Sequence, residues 1–172
     1  MTEQEYYLLR FIDSVRAVSG RKKLQKIVFI MKYIGFPIDF RYSWHYYGPY
    51  SSDLALKIDS LVNQNLLEET ISIGYGYKIS STGAGSLLQI EKNPANRKTM
   101  DFISTWLDDF IAFSQYGASD LEKAASVLFW REWGKSPEAS VRTAENLKGK
   151  LSSCAIRIIK KAEAFKASRS SI

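Results

Sequence analysis

Residues 42–83 read YSWHYYGPYSSDLALKIDSLVNQNLLEETISIGYGYKISSTG. An aromatic run ends in the turn Gly48-Pro49, a helical pattern follows, and two short strand-like segments then flank the turn Gly74-Tyr75-Gly76. Glycines at that turn permit positive φ, which a tight hairpin needs. A helix that leads into a β-hairpin is the layout of a winged helix-turn-helix module, so this stretch favours that class of fold.

Apolar residues recur at helical spacing through most of the remaining chain. Before residue 92 they predict helices over residues 2–18, 21–34, 51–64 and 82–90, and Gly20 and Gly35 end the first two. From Asn93 onward the pattern predicts three further helices, which begin near residues 93, 119 and 136. A capping box of Ser119 and Glu122 is predicted to open the second of these.

These elements predict a mainly α protein with a small β-hairpin. We expect a winged-helix-like module over residues 1–92, packed on a three-helix C-terminal half over residues 93–172, within one compact unit. A chain of 172 residues that is 45% hydrophobic can bury such a core.

Composition indicates a cytoplasmic protein. The lone Cys154 cannot form an internal disulfide, and no clustered Cys/His spacing predicts a metal site or any other cofactor. The acidic N-terminus lacks the layout of a signal peptide, and no apolar run approaches the ~18 residues that span a bilayer, so we expect no membrane association.

The formal net charge of +6 is unevenly distributed. Residues 1–140 carry 16 Lys/Arg and 16 Asp/Glu, whereas residues 141–172 carry 8 against 2, so the whole excess lies at the C-terminus. A smaller basic group opens the second helix. Two interpretations stay open: solvated helix faces, or contacts to nucleic-acid phosphates by Lys22, Lys23, Arg157, Lys160 and Lys161.

The helix before the hairpin is the one that usually enters the major groove of DNA. Its charges are Asp53, Lys57 and Asp59, a poor match to a polyanion whose binding depends on neutralising phosphates. The sequence therefore favours the winged-helix fold but disfavours its usual use on DNA.

The aromatic run before that helix has two interpretations. It can form a surface that stacks bases or binds a protein, or it can plug the core with alternate residues. The alternation favours the core for Trp44 and Tyr46 and leaves Tyr47 and Tyr50 open. His45, the single histidine, has no nucleophile motif beside it, so we expect no enzymatic activity.

Two segments, Lys23-Leu24-Gln25-Lys26-Ile27-Val28-Phe29 and Tyr46-Tyr47-Gly48-Pro49-Tyr50-Ser51 followed by Leu54, resemble those of the YwgA-type family of small prokaryotic proteins. They are similar, more distantly, to the Panacea domain of SocA-like antitoxins, which pairs a Leu-Gln-Lys helix with a Tyr-Gly-Pro turn. The resemblance spans residues 20–90. It implies a winged-helix-like α fold in proteins that neutralise or adapt a partner or act in mobile-element and defence loci, and it carries no catalytic residue.

We therefore expect a non-enzymatic module that binds a protein partner, with Tyr47, Tyr50 and Lys26 on the binding surface. The alternative is a DNA-binding transcriptional regulator. A further pair of alternatives concerns the last predicted helix, whose seam of Leu147, Leu151 and Ile158 can close the monomer's own core or form a homodimer.

Overall fold

The computed structural model describes residues 1–70 and 76–169. Over those residues the chain is mainly α-helical with short antiparallel strands, which confirms the predicted fold class. The elements in order are α1 Glu3–Ser14, β1 Val18–Ser19, α2 Arg21–Tyr33, β2 Ser43–His45, β3 Gly48–Tyr50, α3 Ser52–Asn63, β4 Leu67–Thr70, β5 Gly76–Ile79, α4 Ser81–Lys92, a 3₁₀ turn at Pro94–Asn96, α5 Arg97–Ser114, α6 Ala118–Glu132, α7 Pro137–Lys148 and α8 Ser153–Arg169.

Packing divides the chain into two compact units that interleave in sequence. The first unit contains residues 1–21 and 52–114, and the second unit contains residues 22–51 and 115–172. This division differs from the predicted boundary between residues 92 and 93, which lies inside the first unit after α4. Within the part of the chain that the structure describes, no helix is both long and apolar enough to cross a membrane.

The first unit contains a three-stranded antiparallel sheet in the order β1-β5-β4. Strands β4 and β5 form the predicted hairpin, with Leu67 opposite Ile79, whereas the turn residues Gly74 and Tyr75 lie outside the described residues. Helix α1 begins with a capping box of Thr2 and Glu5. It packs on α5, where the ring of Phe11 stacks on that of Phe110 at 4.6 Å.

The second unit contains α2, the β2–β3 hairpin and helices α6, α7 and α8. Trp44 pairs with Pro49 and His45 with Gly48, so Tyr46 and Tyr47 form the two-residue loop. For residues 36–47 the sequence predicts extended chain or one edge strand, because Pro37 disfavours a central strand. Phe29 of α2 lies in the core of this unit, 6.2 Å from the ring of Phe129 on α6.

Three predictions for the C-terminal half are wrong. Residues 93–169 contain four α-helices rather than three, because Gly149, at φ +76°, ends α7 where one long helix was expected. Leu147 and Ile158 therefore lie on different helices and form no single seam. Helix α6 begins after Gly117 without a side-chain cap, so Ser119 and Glu122 form no capping box.

Candidate partner-binding site

Side chains from α2 hold the main chain of the β2–β3 hairpin. The amide of Gln25 donates to the carbonyl of Ser51 at 2.8 Å and accepts from its N–H at 3.0 Å, as a neighbouring strand would. The next residue, Lys26, donates from Nζ to the carbonyl of Pro49 at 2.6 Å. The two segments that carry the family resemblance are thus joined to each other by hydrogen bonds to main-chain atoms.

Gly48 lets the hairpin approach α6 closely. Its φ is +79°, in the left-handed region, and a Cβ at this position would lie 2.9 Å from Ser126 Oγ on α6. That hydroxyl donates to the carbonyl of Glu122 at 2.8 Å. A larger residue at position 48 would be strained and would also displace this hydroxyl.

Glu122 is the centre of a charged cluster on α6. One carboxylate oxygen accepts from Lys22 Nζ of α2 at 2.9 Å, and the other accepts from Lys148 Nζ of α7 at 3.0 Å. The side chains of Glu122 and Lys148 are each only 12% exposed. Burial by itself raises the pKa of Glu122, but the hydrogen bonds from Lys22 and Lys148, together with their positive charges, outweigh it, and the net pKa is lowered. We call Glu122, Lys22, Lys26 and Lys148 the Glu122 cluster.

Lys148 also fastens the hairpin loop. Its Nζ donates to the carbonyl of Tyr46 and lies 5.4 Å from the Tyr46 ring and 5.6 Å from the Trp44 ring. On the other side, Lys22 Nζ lies 5.2 Å from the ring of Tyr47. Both are within the range of cation–π attraction. The two tyrosines nonetheless stay accessible, Tyr46 at 78% and Tyr47 at 55%, and we call them the hairpin tip.

A pocket of about 390 Å³ opens beside the hairpin tip. We call it the tip pocket; its lining residues are Trp44, Tyr46, Tyr47, Glu122, Leu147 and Lys148. Its walls are thus mostly aromatic or aliphatic, and its charged groups belong to the Glu122 cluster. This combination suits a partner side chain with both apolar and polar parts.

Of the three residues predicted for a partner surface, Tyr47 lies at the hairpin tip, whereas Tyr50 is half-buried, its ring 5.3 Å from that of His45. Lys26 is 1% exposed and therefore supports the hairpin from within instead of meeting a partner. The predicted core position is wrong for Tyr46, because the two-residue loop turns it outward. Trp44 is half-buried against Trp130, with ring centroids 4.9 Å apart.

The five basic residues predicted for nucleic-acid contact lie in different settings. Lys22 is paired with Glu122, and Lys23 is half-buried. Arg157 and Lys160 are exposed on α8, and Lys161 lies beside the ring of Tyr116 at 6.0 Å. Within the described residues, no three His, Cys, Asp or Glu side chains lie close enough to hold a metal ion.

Burial lowers the pKa of Lys26 from 10.5 to about 8; Lys148 and Lys22 act in the same direction, and Glu122 opposes them. Between those pH values the unfolded chain binds more protons than the folded chain, so the free energy of unfolding should rise with pH, by at most ~1.4 kcal/mol per unit. In Lys26→Met this rise should be reduced to the contribution of Lys23, whose pKa burial also lowers, while Lys150→Met, at an exposed position, should parallel the wild type. Urea unfolding across this pH range measures it, and parallel curves for wild type and Lys26→Met would contradict the expectation.

No known family model matches the chain. The chain is similar to a protein of Bacillus subtilis (strain 168) described as "Uncharacterized protein YwgA", with 35% identity over 92 residues, which are 51% of this chain and 55% of the relative. The chain thus spans about half the length of the curated relative it matches. This similarity supports the YwgA-type resemblance, and the relative's description names no activity, ligand or partner. The Panacea resemblance stays a prediction.

Proposed function

We propose that this chain is a non-enzymatic module that binds another protein through the hairpin tip and the adjoining tip pocket. The observation that carries the proposal is the exposure of Tyr46 and Tyr47 at the tip of a hairpin whose main chain is held in place. Lys148 holds it at Tyr46, Lys26 at Pro49, and Gln25 at Ser51 directly after the hairpin. Tyrosines are frequent among residues that dominate binding energy, because they bury a large area at a low entropic cost.

Rigid support favours affinity. A loop that is already ordered loses less conformational freedom when a partner covers it. Leu147, 52% exposed beside the hairpin tip, extends the apolar surface that a partner would cover. Exposed aromatic and aliphatic side chains around a pocket with charged groups fit the anatomy of a small protein interface.

The double variant Tyr46→Ala/Tyr47→Ala should lose the protein partners that the wild type captures from a Bacillus subtilis lysate. Truncation of a residue that dominates binding typically costs 2 kcal/mol or more, so we expect at least about thirtyfold weaker binding. Quantitative mass spectrometry of captured proteins, followed by titration of the purified partner, measures the loss.

The matched control is Leu56→Ala/Leu88→Ala, which removes two exposed apolar side chains from the first unit. It should retain the same partners as the wild type. Equal capture by all three proteins, or no specific capture by the wild type, would overturn the assignment of the hairpin tip as a binding surface.

Duplex DNA binding is the second candidate function. The order α1-β1-α2-α3-β4-β5 along the chain, with a β-hairpin directly after α3, is the order of a winged helix, a fold that commonly serves DNA binding. Against it, Lys57, the one basic residue of α3, is paired with Glu5 at 2.9 Å. A DNA contact would therefore depend on exposed residues of α8, such as Arg157 and Lys160. Two results would favour this candidate: an affinity for duplex DNA that falls steeply as salt rises, and a lower affinity of the Arg157→Gln/Lys160→Gln variant.

An antitoxin or adaptor, the role that the Panacea resemblance implies, would be one form of protein binding in the cytoplasm. Homodimerisation would be another, since Leu147 and Ile156 expose apolar surface on α7 and α8. Sedimentation of the purified chain across a range of concentrations distinguishes a self-associating surface from one kept for a different protein.

A further inference from the structure

The two units carry opposite net charges. The second unit has 16 Lys/Arg against 7 Asp/Glu, a net +9, and the first has 8 against 11, a net −3. The hairpin tip and the tip pocket belong to the second unit. A partner that approaches this unit therefore meets a positive field, which attracts acidic surfaces and repels basic ones.

The ammonium group of Lys148, which lines the tip pocket, can donate a further hydrogen bond. A lysine ammonium has three N–H donors. Among the described residues, the hydrogen bonds of Lys148 Nζ go to Glu122 and to the carbonyl of Tyr46. The third donor is available to a ligand group in the pocket, where aromatic walls lower the local dielectric and strengthen a charge-assisted hydrogen bond.

We infer that the tip pocket takes the carboxylate of an Asp or Glu side chain from a partner's peptide segment, with Lys148 as its cationic contact. A neighbouring aromatic or aliphatic residue of that segment packs on the hairpin tip and Leu147. The inference rests on the proposed protein-binding function and specifies the chemistry of its partner. Charge complementarity carries it: the unit is strongly basic, and the pocket combines one ammonium donor with apolar walls.

A single carboxylate fits this pocket better than a nucleic-acid backbone does. Lys22 and Lys148 are both paired with Glu122, so these three groups leave a net charge of one. Phosphate backbones are bound by several unpaired cations along a groove. A net charge of one is too small to neutralise successive phosphates, whereas it matches one carboxylate, which needs only one accessible donor.

Selection of short random peptides displayed on phage, with the full-length chain as bait, tests the inference. We expect the enriched peptides to contain Asp or Glu next to an aromatic or aliphatic residue, and to be lost when the bait is Tyr46→Ala/Tyr47→Ala. Synthetic copies of an enriched peptide are then compared with versions carrying Asp→Asn or Glu→Gln. These should bind the unchanged protein at least about tenfold more weakly, since a hydrogen bond to a charged group is lost.

A second comparison measures peptide binding to variants of the protein. Lys148→Gln should weaken binding of the enriched peptide, and Lys150→Gln, at an exposed position two residues away, should leave it unchanged. Because Lys148 also holds the loop, the peptide substitutions test the charge contact without any effect on folding.

Other outcomes overturn the inference in distinguishable ways. Neutral or basic peptides that still require the hairpin tip would refute the carboxylate while leaving the proposed function in place. Peptides that bind equally well to the Tyr46→Ala/Tyr47→Ala bait, or no enrichment at all, would overturn both. Tip-dependent binding of fluorescent oligothymidine that is tighter than any peptide would identify the surface as a single-stranded nucleic-acid site instead.

Discussion

Gly83→Ala is expected to destabilise the protein by at least about 3 kcal/mol. A Cβ at Gly83 would lie 2.1 Å from the carbonyl oxygen of Leu66 and 3.0 Å from its carbonyl carbon. These are backbone atoms of the residue just before β4, so no side-chain rotation can relieve the clash. The start of α4 would have to move away from the sheet of the first unit.

That movement would also break the N-cap of α4. Ser80 Oγ accepts from the N–H of Gly83 at 2.9 Å and donates to the carbonyl of Asn65 at 2.5 Å. The N–H of Ser80 donates to the carbonyl of Leu66 at 3.1 Å. The helix N-terminus and the residues just before β4 are therefore joined by direct hydrogen bonds that a displacement would break. Loss of a cap alone typically costs ~1 kcal/mol.

Gly85→Ala is the matched control, since it adds the same methyl group two residues later in α4. Nothing lies within 4 Å of the added Cβ, and alanine is the better helix former, so we expect stabilisation by about 0.5–1 kcal/mol. Urea unfolding followed by circular dichroism measures both variants. Equal stabilities for the two would show that the α4–β4 contact is looser than the structure indicates.

Glu122→Gln is expected to destabilise the protein by about 2–4 kcal/mol at neutral pH, the second large effect. The substitution keeps the size and shape of the side chain but removes the negative charge shared by Lys22 and Lys148. Lys26 is buried nearby, so three ammonium groups would then face each other without a counter-charge. A partly buried cation without a partner retains its desolvation cost and loses its compensation.

The pH dependence of the unfolding free energy tests whether this effect is electrostatic. Because the folded pKa of Glu122 is below its usual value of 4.5, the carboxylate stabilises the fold above pH 4.5, and that stabilisation is lost as pH falls through the folded pKa. The difference in unfolding free energy between wild type and Glu122→Gln should therefore shrink below pH 4.5. Glu138→Gln, at an exposed position on α7, should change stability by less than about 1 kcal/mol. A pH-independent difference for Glu122→Gln would contradict the electrostatic explanation.

Helical periodicity predicted α1, α2 and α3 within a few residues at most ends, because each buries a continuous apolar stripe and ends near a recognisable residue such as Gly35. Strand β1 was missed, since two residues are too few to show an alternating pattern. The break at Gly149 was missed because apolar spacing continues from Leu147 to Leu151 across it. The spacing of apolar residues does not show where one helix ends and the next begins.

The candidate site was less predictable than the fold, because its contacts join residues distant in sequence. Lys26 was assigned to the surface on residue type alone, yet its ammonium reaches a carbonyl 23 residues away. Glu122 suited a capping box locally and instead pairs with Lys22, 100 residues away. The sequence left Tyr47 open between core and surface and favoured the core for Tyr46, yet both are exposed. Alternation along an extended segment gives no sign of a two-residue loop.

The hydrogen bonds that hold the β2–β3 hairpin end on carbonyls and an N–H of Tyr46, Pro49 and Ser51, none of them on the side chains at positions 46 and 47. Different residues at those two positions would leave this framework intact, much as antibody frameworks accept varied loops. A library randomised only there should yield folded proteins with new binding preferences, which makes this scaffold suitable for engineering.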